Sequence, residues 1–549
     1  MTLSQPVPPP VRPERGPSRS LAEVAKRFGC VLGGSAQEVP ADSSSKTPEG
    51  TSNLADVQLT GLTVSSSDVH PGDLFVALPG LNQHGATFAA DARDRGAAAI
   101  LTDSDGSAAA GGSGLPVIVL DSLRSRLGDV AAWFYGTADS GVELFAVTGT
   151  NGKTSTVYIL EAILNQLDVP VGLSSTAQRR FGKVELVSGL TTPEATELHS
   201  LIARMSEAGV RAAAIEVSAQ ALSRHRVDGA VFDVAGFTNL THDHLDDYGD
   251  METYLAAKAP LFQPEHARRA VICLDTPAGA ELVASAGIPV VTIATAPESA
   301  AVSDSGAGTA ETAPEADWLV EVTGEDSKGV YFTVSNRDGW ALSTSVSVIG
   351  RHMAANAGLA IAMLAEGGFE LERIAETLTR DGGIRVHPPG RTERVSGNRG
   401  PTVYVDFGHS ADAFAKTLDA IRKVTAGKVI MVFGADGDRD KTKRPAMARA
   451  AIEGSDLLIV TDHHPRFEDP QIIRTTLVES AREARPDVET IEVPNPKQAI
   501  REAVRRAKEG DSILWAGPGH QNYRDIRGVH VPYSARAEAR AALVESGWA

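Results

Sequence analysis

The segment LFAVTGTNGKTS, residues 144–155, is the stretch that decides the fold. An apolar, strand-like run leads into a glycine turn, and the turn leads directly into the helical pattern TSTVYILEAILNQL. In such a turn the backbone N–H groups, the helix N-terminus and the Lys153 ammonium bind phosphate, while the Thr154 hydroxyl can reach Mg²⁺. The G-x-x-x-x-G-K-[ST] pattern is incomplete, since Val147 stands where its first glycine belongs, and a bare Gly-Lys-Thr is usually an ordinary turn. The flanking strand and helix favour a phosphate site made by Gly149, Thr150, Asn151, Gly152, Lys153, Thr154 and Ser155.

Strand-like and helix-like segments alternate on both sides of this turn, which implies mostly parallel sheets. A chain of 549 residues has room for roughly three domains of about 150 to 200 residues. We therefore predict an α/β protein of three domains. They are a small N-terminal α/β domain over 21–140, a central P-loop ATPase-like domain with a parallel sheet over 141–388, and a C-terminal Rossmann-like α/β domain over 389–549.

Two segments lack the pattern of a folded element. The Pro-rich start MTLSQPVPPPVRPERGPSRS, residues 1–20, is interpreted as a disordered tail. Residues 294–317 are rich in Ala, Ser and Glu without apolar periodicity, and they adjoin the alternating segments WLVEVTG and GVYFTVS. We interpret 294–317 as a flexible insertion in a peripheral sheet.

Composition excludes several classes of function. The formal net charge of -18 argues against a nucleic-acid partner. Cys30 and Cys273 are too few for a disulfide framework or a Cys-based zinc site, which favours a reducing compartment. No apolar run approaches the roughly 20 residues that span a bilayer, and the N-terminus lacks the apolar core of a signal peptide. We expect a cytoplasmic protein without membrane insertion, monomeric by default.

Three polar residues stand where they could serve a phosphate site. Glu216 ends the strand-like AAAIEVS, and His244 follows the strand-like VAGFTN in NLTHDHLDDYGD. A carboxylate and an imidazole at neighbouring strand ends suit Mg²⁺ held between protein and nucleotide, although His242, Asp243 and His244 equally fit a solvated loop. Lys258 lies on an apolar helix face and is interpreted as pointing inward, although a surface lysine that extends its ammonium to water is the ordinary alternative.

A series of motifs, in chain order, resembles the Mur ligases, most closely those of the UDP-N-acetylmuramoyl-tripeptide synthetase type. The similarity extends from about residue 20 to the C-terminus, and several motifs in the right order are far more specific than any one alone. The motifs are GTNGKTS, EVSAQALSRHRVDG, FTNLTHDHLDDYGDMETYLAAKAPLF, GRHMAANAGLAIAML, PGRTERV, VYVDFGHSADA and VFGADGDRDKTKRP.

The resemblance implies an ATP-dependent amide ligase of peptidoglycan precursor synthesis with ATP and Mg²⁺ as cofactors. It implies that the D-Glu carboxylate of UDP-N-acetylmuramoyl-L-Ala-D-Glu is phosphorylated and that the amino group of a third residue attacks the acyl phosphate. Lys153, Glu216, His244 and Lys258 match catalytic positions. Thr154, Glu216, His244 and a carbamylated Lys258 match metal-binding positions. Asn356, Asp406 and His409 match nucleotide contacts.

The resemblance implies a site for the muramoyl substrate, but this chain differs from the family pattern at several of its positions. Ser66 lies where a uridine-site serine is expected, but the usual Asp-Ser-Arg reads Ser65-Ser66-Ser67, so one diphosphate contact lacks its arginine. Arg224 stands where a Gln is common, and an extra arginine is compatible with an anionic substrate. The matching peptide contacts are Thr191, Thr192, Ser218, Arg224 and Arg226.

The resemblance also implies an amino-acid pocket, but its residues do not agree on which amino acid it binds. Members that add meso-diaminopimelate carry Asp-Asn-Pro-Arg, and this chain keeps Arg466 but has His464 at the Asn position. Gln521 replaces the Glu expected to meet the incoming ammonium. Arg466 favours meso-diaminopimelate, whereas His464 and Gln521 favour L-lysine or another diamino acid such as ornithine. The residues assigned to this pocket are Arg391, Asp462, His464, Arg466, Gly517 and Gln521.

Other interpretations stay open. A zinc site at His463 and His464 is disfavoured, because adjacent histidines on a strand end are expected to point apart and no third ligand stands at a diagnostic spacing. A ligase of folylpolyglutamate synthase type would share the phosphate loop but lack the N-terminal uridine-site segment. A non-catalytic nucleotide-binding paralogue is suggested by Pro518 and Gln521, but Lys153, Glu216, His244 and Lys258 are all retained.

Overall fold

The computed structural model describes residues 11–33, 54, 56–80, 82–298 and 314–548. Within these ranges the chain forms three α/β units in chain order, built on sheets of five, eleven and six strands. The predicted α/β class is confirmed, and the three sheets fall within 21–140, 141–388 and 389–549. Among the described helices, none is long and apolar enough to cross a membrane.

The N-terminal unit has helices on both faces of its sheet. Its strands are β1 (Arg19–Ser20), β2 (Val31–Leu32), β3 (Gln58–Leu59), β4 (Gly61–Thr63), β5 (Asp73–Ala77), β6 (Ala99–Thr102) and β7 (Val117–Val119). Its helices are α1 (Leu21–Phe28), α2 (Ala89–Asp94), α3 (Ser107–Gly111) and α4 (Leu123–Tyr135), with 3-10 turns at Ser66–Asp68, Gly85–Phe88 and Thr137–Asp139. The sheet order β2-β7-β6-β5-β4 is parallel except for β2, and β1 pairs with β3 separately. Successive side chains of β5 face opposite sides, so Leu74 packs in the cluster with α1 and α4 and Phe75 in the one with α2 and α3.

Residues 11–20 are ordered, against the prediction of a disordered tail. Arg12 donates to the Asp73 carboxylate at 2.7 Å and to the Leu62 carbonyl at 2.9 Å. Ser20 caps α1 and receives the reciprocal contact from Glu23 that completes a capping box. The buried partner Asp73 is supplied by the folded sheet, so local composition could not reveal it. Residues 1–10 of the predicted tail lie outside the described residues.

The central unit places β8 in the middle of a large sheet. Its strands are β8 (Glu143–Thr148), β9 (Val171–Ser174), β10 (Gln178–Phe181), β11 (Val184–Val187), β12 (Ala212–Glu216), β13 (Phe232–Phe237), β14 (Ala267–Cys273), β15 (Val290–Thr295), β16 (Trp318–Asp326), β17 (Gly329–Asn336) and β18 (Ala341–Val346). Its helices are α5 (Lys153–Gln166), α6 (Ala195–Glu207), α7 (Ala219–Ser223), α8 (Leu245–Tyr248), α9 (Met251–Ala256), α10 (Pro277–Ser285), α11 (Arg351–Glu366) and α12 (Leu371–Asp381), with a 3-10 turn at Ala259–Phe262. The order is β11-β10-β9-β12-β8-β13-β14-β15-β16-β17-β18, parallel from β9 to β16 and antiparallel at both ends. Because β12 and β13 flank β8 in parallel, their carboxyl ends meet at one edge of the sheet.

Both ends of the predicted insertion over 294–317 make ordered contacts with the central sheet. Ala294 and Thr295 complete β15, and the Asp317 carboxylate accepts from the backbone N–H and the hydroxyl of Thr292 at 2.8 and 2.7 Å. β16 pairs in parallel with β15, so β16, β17 and β18 extend the central sheet. Residues 299–313 lie outside the described residues.

The C-terminal unit is a second, mostly parallel sheet. Its strands are β19 (Glu393–Arg394), β20 (Thr402–Asp406), β21 (Val429–Phe433), β22 (Leu457–Val460), β23 (Glu489–Glu492), β24 (Ser512–Ala516), β25 (Tyr523–Ile526) and β26 (Val529–Pro532). Its helices are α13 (Ala411–Val424), α14 (Arg444–Glu453), α15 (Pro470–Ala484), α16 (Pro496–Arg506) and α17 (Ala535–Glu545). The order β19-β20-β24-β21-β22-β23 is parallel from β20 to β23, and β25 and β26 form a hairpin. The predicted motif residues therefore follow strand carboxyl ends, where open α/β sheets bind ligands.

Candidate active site

The phosphate loop lies between β8 and α5 and depends on two glycines. Gly149 has a φ of +142°, and a Cβ there would overlap the Thr238 hydroxyl. Gly152 has a φ of +89°, and a Cβ there would stand 2.6 Å from Asn356 Oδ1. Both positions therefore need glycine for conformation and for space. Asn356, predicted as a nucleotide contact, is buried against this loop.

Two lysines converge on one carbonyl of the loop. Lys153 Nζ donates to the Gly149 and Thr150 carbonyls at 2.9 and 3.0 Å, and Lys258 Nζ donates to the same Gly149 carbonyl at 3.2 Å. Lys258 is 1% exposed, and its Nζ lies 4.1 Å from the centroid of the Tyr254 ring. The prediction that Lys258 points inward is confirmed. Burial, and then the nearby charge of Lys153, lower the pKa of Lys258 well below its ordinary value.

Glu216 and His244 line the same cavity as the lysines. Glu216 is fully buried at the end of β12, and its carboxylate accepts from the Thr176 backbone N–H at 2.8 Å and from the Thr176 hydroxyl at 2.9 Å. His244 starts α8 with a left-handed φ of 56°. Burial lowers the pKa of His244 to about 4, so its imidazole is neutral at pH 7.

The donor types around the loop fit Mg²⁺. A hydroxyl on Thr154, a carboxylate on Glu216 and a neutral imidazole on His244 all present electron pairs, and a hard cation that keeps several waters needs few protein ligands. Asp246 and Asp247 bring two further carboxylates within 4.8 Å of the His244 ligand atom. Lys258 would join this set only as a carbamate, because an amine on its own is not a hard oxygen ligand.

The C-terminal unit closes over the phosphate loop. Arg391 Nη2, of a residue predicted for the amino-acid pocket, donates to the Thr154 hydroxyl of the phosphate loop at 2.6 Å. Asp406, predicted as a nucleotide contact, accepts from the backbone N–H groups of Thr392 and Gly408 at 2.7 and 2.6 Å. Its carboxylate thus holds the start of the C-terminal unit, at Thr392, next to the loop that follows β20. His409 Nε2 lies 3.5 Å from an Asp243 carboxylate oxygen.

One cavity of about 1130 Å³ lies between the central and C-terminal units. Its wall brings together most of the residues predicted from sequence. They are Gly149, Thr150, Asn151, Gly152, Lys153, Thr154, Ser155, Thr191, Glu216, Ser218, Arg226, His244, Lys258, Asn356, Arg391, Asp406, His409, His464, Arg466, Gly517 and Gln521.

The other predicted muramoyl contacts have local partners. Ser66 begins the 3-10 turn Ser66–Asp68 of the N-terminal unit. Thr192 is buried, and its hydroxyl donates to the Glu216 carbonyl at 2.8 Å. Arg224 is exposed and lies 3.8 Å from Asp247. Arg226 lines the cavity and pairs with Glu194 at 2.9 Å, a carboxylate that Arg124 also contacts at 2.8 Å.

The amino-acid pocket differs from the prediction at Asp462. The Asp462 carboxylate binds Arg474 and lies 3.7 Å from Arg524, whereas its neighbour His463 lines the cavity. The expectation that His463 and His464 point apart is wrong, since their ring centroids are 4.1 Å apart. Both follow the end of β22, where strand alternation no longer applies. Asp436, after β21, supplies a third group that could share a metal with them, which sequence spacing did not show.

The sequence did not predict an ion pair that joins the central and C-terminal units. Asp243 is buried and accepts from Lys443 Nζ at 2.8 Å. Asn151 Nδ2 also donates across the units, to Asp412 at 3.0 Å. Asp243 stands in the quoted THDH motif, so a signal existed, but only the tertiary structure shows that its side chain points inward.

Comparisons with known families cover each unit of the fold. The Mur ligase family catalytic domain matches residues 58–135, the Mur ligase middle domain matches 147–364, and the Mur ligase glutamate ligase domain matches 390–519. A UDP-N-acetylmuramyl-tripeptide synthetase of Leifsonia xyli subsp. xyli is 51% identical over 546 residues and covers 100% of both chains. This chain belongs to the Mur ligase family.

Further similarities agree with the family. A UDP-N-acetylmuramoyl-L-alanyl-D-glutamate–2,6-diaminopimelate ligase of Streptomyces avermitilis is 38% identical over 546 residues, covering 98% of this Mur ligase and 99% of the relative. A solved structure of a ligase with that name superimposes with a TM-score of 0.60 at 24% identity, covering 97% and 100% of the two chains. The ADP complex of MurF from Thermotoga maritima gives a TM-score of 0.59 at 17% identity, covering 88% and 96%. These two structures support the fold of the Mur ligase. As a member of this family, the chain is an ATP-dependent ligase of peptidoglycan synthesis.

Proposed function

We propose that this Mur ligase adds a diamino acid, L-lysine or meso-diaminopimelate, as the third residue of UDP-N-acetylmuramoyl-L-alanyl-D-glutamate through an acyl phosphate. The names of the relatives from Leifsonia and Streptomyces support the reaction class. The observation that carries the proposal is that one cavity extends from the two-lysine phosphate loop to the His464, Arg466 and Gln521 segments of the C-terminal unit. A phosphoryl donor, a carboxylate and an amine can therefore meet in one cavity.

The first step requires that two anions approach each other. A carboxylate oxygen attacks the γ-phosphorus, a new O–P bond forms and ADP leaves with the electrons of the broken bond. Lys153, Arg391 and the loop N–H groups supply positive charge beside the Gly149–Thr154 turn, which favours the approach and the developing charge. Thr154, Glu216 and His244 would hold Mg²⁺, which supplies further charge neutralisation when bound.

Lys258 suits a carbamate better than an ammonium. Its buried side chain and lowered pKa favour the neutral amine, which is the form that adds CO₂. The product is an anion with carboxylate-like oxygens, next to Lys153 and the metal-binding residues. We propose that carbamylated Lys258 completes the metal-binding set together with Thr154, Glu216 and His244.

The second step joins the amino acid. The amine nitrogen attacks the acyl carbon, the amide bond forms, phosphate leaves and the amine loses a proton. The cavity has walls from the central and C-terminal units, and their closure over the substrates would keep water from the acyl phosphate. The Asp406 carboxylate holds Thr392, the residue after Arg391, next to the loop that follows β20.

The test is ADP release by the purified chain with ATP, Mg²⁺, UDP-N-acetylmuramoyl-L-Ala-D-Glu and a diamino acid, with the product identified by mass. The matched control replaces the acceptor by UDP-N-acetylmuramoyl-L-Ala, which lacks the D-Glu carboxyl. We expect turnover only with the complete acceptor. ADP release with a reduced folate and glutamate would favour the folylpolyglutamate synthase type. ATP binding without turnover on any acceptor would favour a non-catalytic paralogue.

A further inference from the structure

The two departures from the family pattern in the amino-acid pocket contact each other. His464 Nε2 and Gln521 Oε1 are 2.8 Å apart. The other ring nitrogen, His464 Nδ1, accepts from the backbone N–H of Asp525 at 2.8 Å. Residues 57 positions apart in sequence therefore form one unit.

These two contacts determine which atoms carry protons. Because Nδ1 of His464 accepts a hydrogen bond, the proton of the neutral ring lies on Nε2. That N–H donates to Gln521, so the Gln521 carbonyl oxygen is already engaged. Burial lowers the pKa of His464 to about 3, in agreement with a neutral ring. Gln521 therefore has no negative charge, and its amide oxygen is not free to accept a hydrogen bond from an incoming ammonium.

Arg466 is flanked by two carboxylates. Its Nη2 lies 3.6 Å from Asp436 and its Nε lies 3.9 Å from Asp525. Burial alone would raise the pKa of Asp436, but its contact with His463, at 2.7 Å, lowers that pKa below the ordinary value. One guanidinium therefore faces two carboxylates.

The neighbouring lysine and arginine side chains are paired or exposed, so they add little positive charge beside the two carboxylates. Arg524 is 3.7 Å from Asp462, which compensates it. Lys443 is paired with Asp243 at 2.8 Å. Arg439 also lines the cavity but is exposed, so water and salt screen its charge. The site therefore has two carboxylates and one guanidinium, with the His463 ring hydrogen-bonded to Asp436.

Resting on the proposed function, we propose that this group and the His464–Gln521 pair make the enzyme selective for a diamino acid with a single carboxyl group, such as L-lysine or L-ornithine. Asp436 and Asp525 hold its distal ammonium, in place of residue 521. The single ammonium of such a side chain balances the carboxylate that Arg466 does not. The distal carbon of meso-diaminopimelate carries both an ammonium and a carboxylate, so it adds no net positive charge to the site. It also brings its own carboxylate close to Asp436 and Asp525.

The first experiment compares kcat/KM for L-lysine, L-ornithine, meso-diaminopimelate and L-norleucine, which is lysine without its distal amino group. We expect L-lysine or L-ornithine to exceed both meso-diaminopimelate and norleucine by about tenfold or more, as expected for an uncompensated charge in a confined pocket. Equal or better use of meso-diaminopimelate would overturn the selectivity while leaving the proposed ligase intact. Absence of turnover with every amino acid would overturn the ligase function and the selectivity together.

The second experiment tests the acids that flank Arg466. Asp525→Asn removes one of the two carboxylates, so Arg466 becomes available for a distal carboxylate. We expect the ratio of kcat/KM for meso-diaminopimelate to that for L-lysine to rise by about tenfold. Asp436→Asn should shift the ratio in the same direction, and it provides a second variant if Asp525→Asn fails to fold.

Asp487→Asn is the matched control, because Asp487 is an exposed acid paired with Arg485 in the same unit and its replacement changes the net charge equally. It should leave the ratio unchanged. If both Asp525→Asn and Asp436→Asn fold and leave the ratio at the wild-type value, the assignment of the ammonium to these carboxylates is wrong.

Discussion

Arg391 donates a hydrogen bond to the Thr154 hydroxyl at 2.6 Å, across the boundary between the C-terminal and central units. The guanidinium also lies over the Phe407 ring, 4.5 Å from its centroid. It is thereby directed at the hydroxyl that would bind the metal. Opening of the two units would withdraw a positive charge from the phosphate loop, so this contact couples domain closure to the nucleotide site.

The first prediction concerns this arginine. Arg391→Ala removes a charge-assisted donor beside the phosphate loop, so we expect KM for ATP to rise by about tenfold, with Arg391→Lys intermediate because it keeps the charge but not the planar fork. Steady-state ADP release over a range of ATP concentrations measures it. Arg385→Ala is the control, since Arg385 is exposed and bonds the Asp381 carbonyl. Unchanged kinetics in Arg391→Ala would show that the contact has no role in nucleotide binding.

The second prediction concerns the Asp243–Lys443 ion pair, which joins the units at 2.8 Å. Both side chains are largely buried, so removing one partner leaves an uncompensated charge, and we expect Lys443→Met to destabilise the protein by about 3 kcal/mol. Asp243→Asn combined with Lys443→Met should cost less than the sum of the single variants. Denaturant unfolding of the three variants measures this coupling, and strict additivity would show that the pair contributes nothing specific.

The third prediction concerns Lys258. Lys258→Ala removes the carbamate oxygens, so ADP formation should fall by about 10²-fold or more. Added short carboxylic acids should restore part of the activity, because they return an anionic oxygen ligand to the space left by the side chain. Lys153→Ala should be inactive as well but should not respond to the acids, since it lacks a cation. Full activity of Lys258→Ala would exclude the carbamate.

The fourth prediction concerns pH and His199. Burial lowers the pKa of His199 to about 4, and its ring bonds the Thr137 hydroxyl at 2.7 Å and the Asp228 carbonyl at 3.0 Å. The unfolded chain binds a proton near pH 6.5, but the folded chain binds it only near pH 4, so stability falls as pH decreases between these values. The contribution of His199 to this loss is on the order of 2 kcal/mol between pH 7 and pH 5.

His199→Gln should therefore show a shallower decrease of unfolding free energy over this pH range than the wild type. His387→Gln, which replaces an exposed histidine, should keep the wild-type pH dependence. Equal slopes for wild type and His199→Gln, measured by denaturant unfolding at each pH, would contradict the prediction.

Much of the fold could be predicted because its signals are local. The helix α5 follows directly from the apolar pattern after Lys153, and the buried strands β8, β12 and β13 are short apolar runs. The inward position of Lys258 was also predicted from its apolar surroundings in sequence, and the structure buries it. These features depend on neighbours within a few residues, which the sequence contains directly.

The sequence by itself determined the α/β class, the phosphate loop and the family, because these depend on the apolar periodicity and the glycine positions within short stretches of the chain. Only the tertiary structure decided that Arg391 binds Thr154, that Arg12 orders residues 11–20, and that His463 lines the cavity where Asp462 was expected. It also decided that the two departures at positions 464 and 521 form one hydrogen-bonded pair. The physical reason is that the direction of a loop side chain, and the charge that compensates it, depend on groups brought together by folding from distant parts of the chain.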